Sequence, residues 1–175
     1  MKSKALSFLS IVFLLAGCAS PLAYGTAEAG LVFQDGLNRT VTLAGPAQKI
    51  ISLAPSNTEI IFGLGAGSQL IGRDDFSNFP DAALSLPSIG DTMGSISLEK
   101  ITALQPDLIL ASPLTTADQV KSMEGLGLTV FLLPNPKSFE DLYRNLEVVG
   151  SLTGREKEAA TLAESLKTRV EQVEN

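Results

Sequence analysis

The 175-residue sequence offers few side chains that could act as nucleophiles or as metal ligands. It contains no histidine and a single cysteine, Cys18. Without imidazole, neither a Ser-His-Asp triad nor a Cys-His pair can be assembled, and zinc or manganese sites lose their usual ligand. No acidic loop has the spacing of a calcium-binding hand. We therefore expect a protein that is not an enzyme, with no catalytic residue, no metal and no cofactor.

Cys18 closes an N-terminal segment that is typical of export signals. Lys2 and Lys4 precede an apolar run over residues 5–16, which is too short to span a membrane. The sequence Leu15-Ala16-Gly17-Cys18 resembles the bacterial lipobox, in which small residues let a peptidase approach the backbone. Lipidation would also remove a thiol that has no disulfide partner. An apolar core helix, the alternative, would not need small residues directly before the only cysteine.

The charge of the chain indicates which partners it lacks. The 13 basic and 19 acidic side chains give a net charge of −6, and processing at Cys18 would remove two lysines and no acids. Nucleic-acid binders present a basic face, and no basic cluster occurs here. The sequence therefore predicts no nucleic-acid partner.

Strands and helices alternate along most of the chain. Strands are predicted at residues 49–54, 70–72, 107–111 and 129–133, with helices at about 56–64, 97–104, 116–126, 138–152 and 156–173, after a hairpin of strands at 32–34 and 40–43. This alternation predicts an α/β fold with a parallel sheet covered by helices on both faces. Ligands of such sheets bind beyond the carboxyl ends of the strands. Residues 55–57, 74–79 and 112–116 should lie there, and Ser56 or Asn57 should cap the first helix.

Five stretches, in this order along the chain, carry a resemblance to a known family. They are the predicted hairpin at 35–43, residues 50–59 (IISLAPSNTE), 64–67 (LGAG), 76–80 (FSNFP), and 97–101 (SLEKI) running into 104–109 (LQPDLI). Together they resemble the substrate-binding proteins of ABC importers for vitamin B12, ferric siderophores and haem. The similarity covers roughly residues 31–175.

The resemblance implies two α/β lobes joined by one long helix, with the ligand held between the lobes. Residues 1–17 would then be a lipoprotein signal peptide, 18–30 a tether, 31–154 the N-terminal substrate-binding lobe and 155–175 the linking helix. The second lobe is absent from these 175 residues. The chain is expected outside the cytoplasm, anchored to the membrane through Cys18 and working with the permease of an ABC importer.

The resemblance also implies site residues. Ser56, Asn57, Phe76 and Met93 would line the cleft, with apolar surface for a large flat ligand and backbone donors at the start of the first helix. Phe76 stands where B12 binders usually have Tyr, and Met93 where a Trp is common. A corrinoid, haem or a ferric siderophore therefore remain as ligands. The alternatives for these residues are a plain helix cap for Ser56 or Asn57 and a core position for Phe76.

Glu99 matches the family's acidic residue that docks on arginines of the permease. Because Leu98 and Ile101 should face the core, Glu99 should point outward; the alternative is an ordinary solvated helix charge. Two rival classes for the whole chain are an extracytoplasmic hydrolase or transferase, and a lipoprotein scaffold without a small ligand.

Overall fold

The computed structural model describes residues 30–174. The predicted signal peptide, the lipidation site Cys18 and nearly all of the predicted tether lie outside the described residues. No helix within residues 30–174 is both long enough and apolar enough to cross a membrane.

Six strands and five α-helices make up this part of the chain. The strands are β1 (Leu31–Gln34), β2 (Thr40–Leu43), β3 (Ile50–Ser52), β4 (Leu70–Arg73), β5 (Leu108–Ala111) and β6 (Val130–Leu132). The helices are α1 (Pro55–Gly63), α2 (Leu98–Leu104), α3 (Ala117–Glu124), α4 (Phe139–Thr153) and α5 (Glu156–Glu174). Each predicted element is present, with ends that differ by at most two residues from the sequence-based bounds.

A four-stranded parallel sheet, in the order β4-β3-β5-β6, forms the centre of the fold. The central strand β3 pairs on both sides, so that Ile50 lies opposite Leu70 of β4 and Leu108 of β5. All four strands run the same way, and their carboxyl ends therefore meet at one edge of the sheet. The predicted α/β class and parallel sheet are confirmed.

The sheet buries apolar side chains on both faces, as a parallel sheet must. Alternate residues of each strand point to opposite sides, which separates Ile50 from Ile51 and Leu110 from Ile109. One face packs on α1, α4 and α5 through Ile50, Leu108, Leu110, Phe131, Ile61, Val149 and Ala159. The other face packs on α2 and α3 through Ile51, Ile109, Leu132, Ile101, Val120 and Met123.

The β1–β2 hairpin is a separate antiparallel ribbon that docks beside β6. Its turn is tied to the end of β6 by the Gly36 N–H, which donates to the Leu132 carbonyl at 2.7 Å. Phe33 meets Phe131 edge to face, with ring centroids 6.3 Å apart. The sequence predicted the hairpin, whereas its docking depends on contacts nearly a hundred residues apart.

Helix α5 is continuous over 19 residues, as its apolar spacing predicts. Gly154, with φ of 68°, ends α4 in the left-handed conformation that glycine adopts without strain, and α5 then returns along α4. A Cβ on Gly150 would lie 2.6 Å from the Cβ of Ala159, so the two helices cross closely only because that side chain is absent. The apolar stripe of α5 is buried at Ala159 and Ala163 but 87% exposed at Val173.

Candidate functional site

The segments that follow the strands come together at the carboxyl edge of the sheet, as the topology requires. The Asp74 N–H, just after β4, donates to the Ser52 carbonyl at the end of β3 (3.0 Å). The Asp75 N–H donates to the Gly90 carbonyl at 3.0 Å, and the Thr92 hydroxyl donates to the Leu53 carbonyl at 3.0 Å. The structure thus brings the predicted segments around Ser56, Phe76 and Met93 to one edge.

The start of α1 differs from the predicted one. Ala54 is the residue before the first helical turn, Pro55 is the first helical residue, and no side chain caps the helix. The prediction that Ser56 or Asn57 is the cap is wrong, because both residues already lie inside the helix. The first turn therefore leaves backbone N–H donors without a side-chain acceptor at the edge of the sheet.

Ser56 and Asn57 have different surroundings. Ser56 is exposed beside the uncapped helix start. Asn57 is 2% exposed, and its amide group donates to the carbonyls of Leu110 (3.1 Å) and Ala111 (3.0 Å) at the end of β5. Ser56 is therefore available to a ligand, whereas Asn57 holds α1 to the sheet and has almost no surface to offer.

Apolar side chains stand exposed around this edge. Phe76 and Met93, the two apolar site residues predicted from the sequence, are 45% and 64% exposed, so Phe76 does not occupy the core. Phe79 and Leu114, which follow β4 and β5, are exposed by 63% and 55%. Phe79 and Leu114 were not among the site residues predicted from the sequence, although both lie in loops predicted to form this edge. A large apolar residue in the loop directly after a buried strand was the available signal.

A buried carboxylate lies beneath Phe76. Asp74 is 1% exposed, and its carboxylate accepts a hydrogen bond from the hydroxyl of Ser77. Burial raises the pKa of Asp74, and the Ser77 hydroxyl and the neighbouring backbone N–H groups of Phe76 and Ser77, with a lesser effect of the Arg73 charge, offset that rise only in part. Arg73 itself donates to the backbone carbonyls of Asp74 (2.9 Å) and Ala83 (3.0 Å) rather than to the carboxylate.

The Met93 loop is fastened at both ends. Gly90 and Ile96 form an antiparallel bridge, and the Gln119 side chain on α3 donates to the Thr92 carbonyl at 3.2 Å. Ser97 then caps α2, its hydroxyl accepting from the Lys100 N–H at 3.3 Å. One short stretch of chain therefore leads from Met93 to the helix that carries Glu99.

Glu99 is exposed in the first turn of α2, while Ile101 is fully buried and Leu98 half-buried. This is the outward orientation predicted from the sequence. Acidic side chains are favoured in a first helical turn by the helix dipole, so the position has a local structural reason as well.

The arrangement is suited to binding rather than to bond breaking. It combines exposed apolar surface, an uncapped helix start and a well-fastened backbone. Within residues 30–174, no three or more acidic, cysteine or histidine side chains gather where they could hold a metal ion. An α/β fold with such an edge is typical of proteins that bind ligands beyond the carboxyl ends of a parallel sheet.

Comparison with known proteins identifies the family. The family described as "Periplasmic binding protein" matches residues 50–175, and the chain belongs to that family. The resemblance inferred from the sequence is confirmed. Among curated relatives, the ABC transporter substrate-binding lipoprotein YvrC of Bacillus subtilis strain 168 is 31% identical over 178 residues, which cover 96% of this chain and 56% of YvrC.

Solved structures show the same fold. The vitamin B12 binding protein BtuF of Vibrio cholerae superposes with a TM-score of 0.65 at 30% identity, covering 73% of this chain and 49% of BtuF. A periplasmic haem-binding protein from Pseudomonas aeruginosa superposes with a TM-score of 0.68 at 28% identity, covering 72% and 45%. The chain thus spans about half the length of the relatives it matches.

Proposed function

We propose that this chain supplies the first ligand-binding lobe of an extracytoplasmic substrate-binding lipoprotein that serves an ABC importer. Residues 31–154 form the lobe in this proposal, residues 155–175 belong to the linking helix, and the ligand is a large flat molecule of the corrinoid, haem or ferric siderophore type. The family membership and the names of the relatives support this function over a hydrolase or a scaffold.

The observation that carries the proposal is the exposed apolar rim at the carboxyl edge. Phe76, Phe79, Met93 and Leu114 are each about half exposed or more, although soluble proteins seldom gather large apolar side chains in exposed groups without a use for them. Aromatic rings and a methionine provide flat, polarisable contact area for a macrocycle. The open N–H groups beside Ser56 provide polar contacts for carboxylate or amide oxygens at its periphery.

Within this ligand class, the residue types favour a corrinoid over haem. Haem iron is held in proteins by axial side chains, most often histidine, and the chain has no histidine at all. Met93 is an exposed sulfur at the rim, but a lone thioether is a weak ligand. The cobalt of a corrinoid brings its own axial groups and therefore needs only shape and hydrogen bonds from this lobe.

Direct titration tests the ligand proposal. Cyanocobalamin, haemin and ferrichrome are titrated into the complete gene product, and binding is monitored by calorimetry and visible absorbance. We expect cyanocobalamin to bind with a Kd of about 1 μM or tighter. Phe76→Ala and Met93→Ala should each weaken binding about tenfold, since each removes apolar area that the ligand would bury. Leu126→Ala is the control, because Leu126 is 52% exposed in the turn before β6, at the opposite edge. Absence of binding to all three compounds would refute the ligand class.

Docking to the permease is proposed to use Glu99. Glu99→Arg should leave ligand affinity unchanged but weaken binding to the permease about a hundredfold and abolish uptake, since facing like charges cost several kcal/mol. Glu147→Arg is a matched control, an exposed helical glutamate on α4, across the sheet from α2. Normal uptake with Glu99→Arg would leave Glu99 as an ordinary helix charge.

The lipid anchor is proposed to form at Cys18. Cys18→Ser should move the protein from the membrane fraction to the soluble fraction, because the serine cannot carry the thioether-linked lipid. Membrane retention of this variant at the parent level would argue against the anchor.

A further inference from the structure

The rim loop that carries Phe76 is held from below by a chain of buried polar groups. It runs from the Asp74 carboxylate through the hydroxyls of Ser77, Thr58 and Ser52 to the Ala54 carbonyl. Asp74, Ser77, Thr58 and Ser52 are each 1% exposed or less. The chain therefore connects the loop after β4 with α1 and with the end of β3 in surroundings from which water is excluded.

The direction of these hydrogen bonds makes Asp74 their terminal acceptor. The Ser52 hydroxyl donates to the Ala54 carbonyl at 3.0 Å, and the Ser77 hydroxyl donates to Asp74. The Thr58 hydroxyl lies 2.8 Å from Ser52 Oγ and 2.9 Å from Ser77 Oγ and donates its single proton to one of them at a time. The Asp74 carboxylate has no proton to donate when it is ionised, so it is the acceptor at this end of the chain of hydroxyls.

The same residue fixes the backbone of the loop. The Ser77 N–H donates to the Asp74 main-chain carbonyl at 3.3 Å, while the Asp74 carboxylate accepts from the Ser77 hydroxyl, and a buried hydroxyl without an acceptor is costly. Arg73 holds the other side of this segment through the carbonyls of Asp74 and Asp75. Phe76, which is 45% exposed, thus lies in a segment that hydrogen bonds hold on both sides.

Within residues 30–174 no basic side chain forms an ion pair with Asp74, whereas Asp35, Glu124, Asp141 and Glu158 each have one. The charge of Arg73 has only a lesser effect on the pKa of Asp74. A carboxylate kept in a dry site without an ion pair is a poor means of stabilising a fold. It is a good means of fixing a turn, since its two oxygens accept several hydrogen bonds at once.

We propose that Asp74 is a positioning residue of the binding site, which orders the loop of residues 74–79 so that Phe76 presents its ring to the ligand. The inference rests on the proposed function, in which Phe76 contacts the ligand. Asp74 itself is covered by the loop and touches no ligand.

The test combines amide hydrogen exchange with ligand titration on Asp74→Ala, Asp74→Asn and Asp35→Ala. Asp35→Ala is the matched control: Asp35 is also a buried carboxylate that accepts backbone N–H bonds in a turn, but it does not touch the rim loop. For Asp74→Ala we expect the amides of Phe76 and Ser77 to exchange at least about tenfold faster, since the loop loses the hydrogen bond between the Asp74 carboxylate and the buried Ser77 hydroxyl. Cyanocobalamin affinity should fall by a similar factor while the midpoint of global unfolding changes little.

The control Asp35→Ala should show the opposite pattern. Its unfolding midpoint should fall, whereas under conditions in which it is folded, the amide exchange rates of residues 74–79 and the ligand affinity should stay within about twofold of the parent values. Asp74→Asn keeps one acceptor oxygen and should recover much of the lost affinity and protection. If Asp74→Ala does not fold, Ser77→Ala, which breaks the hydrogen bond between Asp74 and the buried hydroxyls, decides alone, and unchanged exchange at Phe76 in that variant overturns the proposal.

Failure of the two proposals can be distinguished. If the parent binds none of the probes, the ligand class is wrong, and the exchange measurement still tests Asp74. Faster exchange confined to residues 74–79 supports the positioning role. Unchanged exchange, or a rise spread evenly over the whole sheet, overturns it, as would a parent-like affinity in Asp74→Ala.

Discussion

Two buried aspartates, Asp35 and Asp74, lie in turns that follow strands, and their pKa values are shifted in opposite directions. Desolvation raises the pKa of Asp35, but the Arg39 side chain and the backbone N–H groups of Arg39, Leu37 and Leu132 outweigh it, so that its pKa is lowered overall. For Asp74, burial dominates over its hydrogen bonds and the pKa is raised. The first carboxylate has the Arg39 guanidinium as ion-pair partner, and the second accepts a hydrogen bond from the Ser77 hydroxyl.

The difference indicates that the carboxylate stabilises the fold in the first region and fixes the shape of a loop in the second. The Asp35 turn joins the hairpin to the main sheet, where Arg39 also reaches Glu124 on α3 and the Val130 carbonyl. Charge neutralisation there makes the ionised carboxylate favourable to folding. At the rim, the ionised carboxylate of Asp74 opposes folding relative to its neutral form, and its hydrogen bonds fix the shape of a loop.

The largest expected effect comes from breaking the Asp35 cluster. Asp35→Ala leaves the N–H groups of Leu37, Arg39 and Leu132 without their acceptor and removes the partner of the Arg39 charge, so the free energy of unfolding at pH 7 should fall by about 3 kcal/mol. Urea unfolding followed by circular dichroism measures this. A loss below about 1 kcal/mol would show that the hairpin does not depend on this ion pair.

A smaller effect is expected at the other aspartate. Asp74→Asn removes a charge that burial disfavours and weakens one or two hydrogen bonds, so the two changes should nearly cancel. The free energy of unfolding at pH 7 should stay within about 1 kcal/mol of the parent in the same urea experiment. A loss as large as that of Asp35→Ala would remove the contrast between the two sites.

The smallest effect, and the sharpest in sign, is the dependence of stability on pH. Because the folded pKa of Asp35 lies below the ordinary value of 3.8, its contribution is present above pH 3.8 and is lost as the pH falls through the folded pKa. The stability gap between the parent and Asp35→Asn should therefore narrow below pH 3.8.

Asp74 should give the opposite trend. Its folded pKa lies above 3.8, so the parent is most favoured relative to Asp74→Asn below pH 3.8 and loses that advantage as the pH rises through the folded pKa. Unfolding curves of the parent and both variants at several pH values between about 2.5 and 7 compare the two gaps. If the two differences in stability changed with pH in the same direction, the opposite pKa shifts of Asp35 and Asp74 would be contradicted.

The pattern of the sequence predicted the sheet, its helices and the edge at which the strand-end loops gather, because apolar periodicity and strand-end loops are local properties. Side-chain partners were harder to predict. Asn57 has the residue type and place of a helix cap, yet its amide binds carbonyls more than fifty residues away. The roles of Asp35 and Asp74 likewise depend on neighbours that only the folded chain brings near, and no spacing in the sequence indicates which aspartate will meet an arginine.

The uncapped start of α1 has a consequence for the entropy of binding. Side-chain caps typically stabilise a helix start by about 1 kcal/mol and limit fraying. Here Pro55 fixes the first φ angle, and Asn57 fastens the first turn to β5, so the turn is held in place without its N–H groups being occupied. The N–H donors beside Ser56 therefore lose their conformational freedom when the protein folds. A ligand oxygen that binds to them would cause little further loss of conformational entropy, so its affinity would be reduced little by ordering.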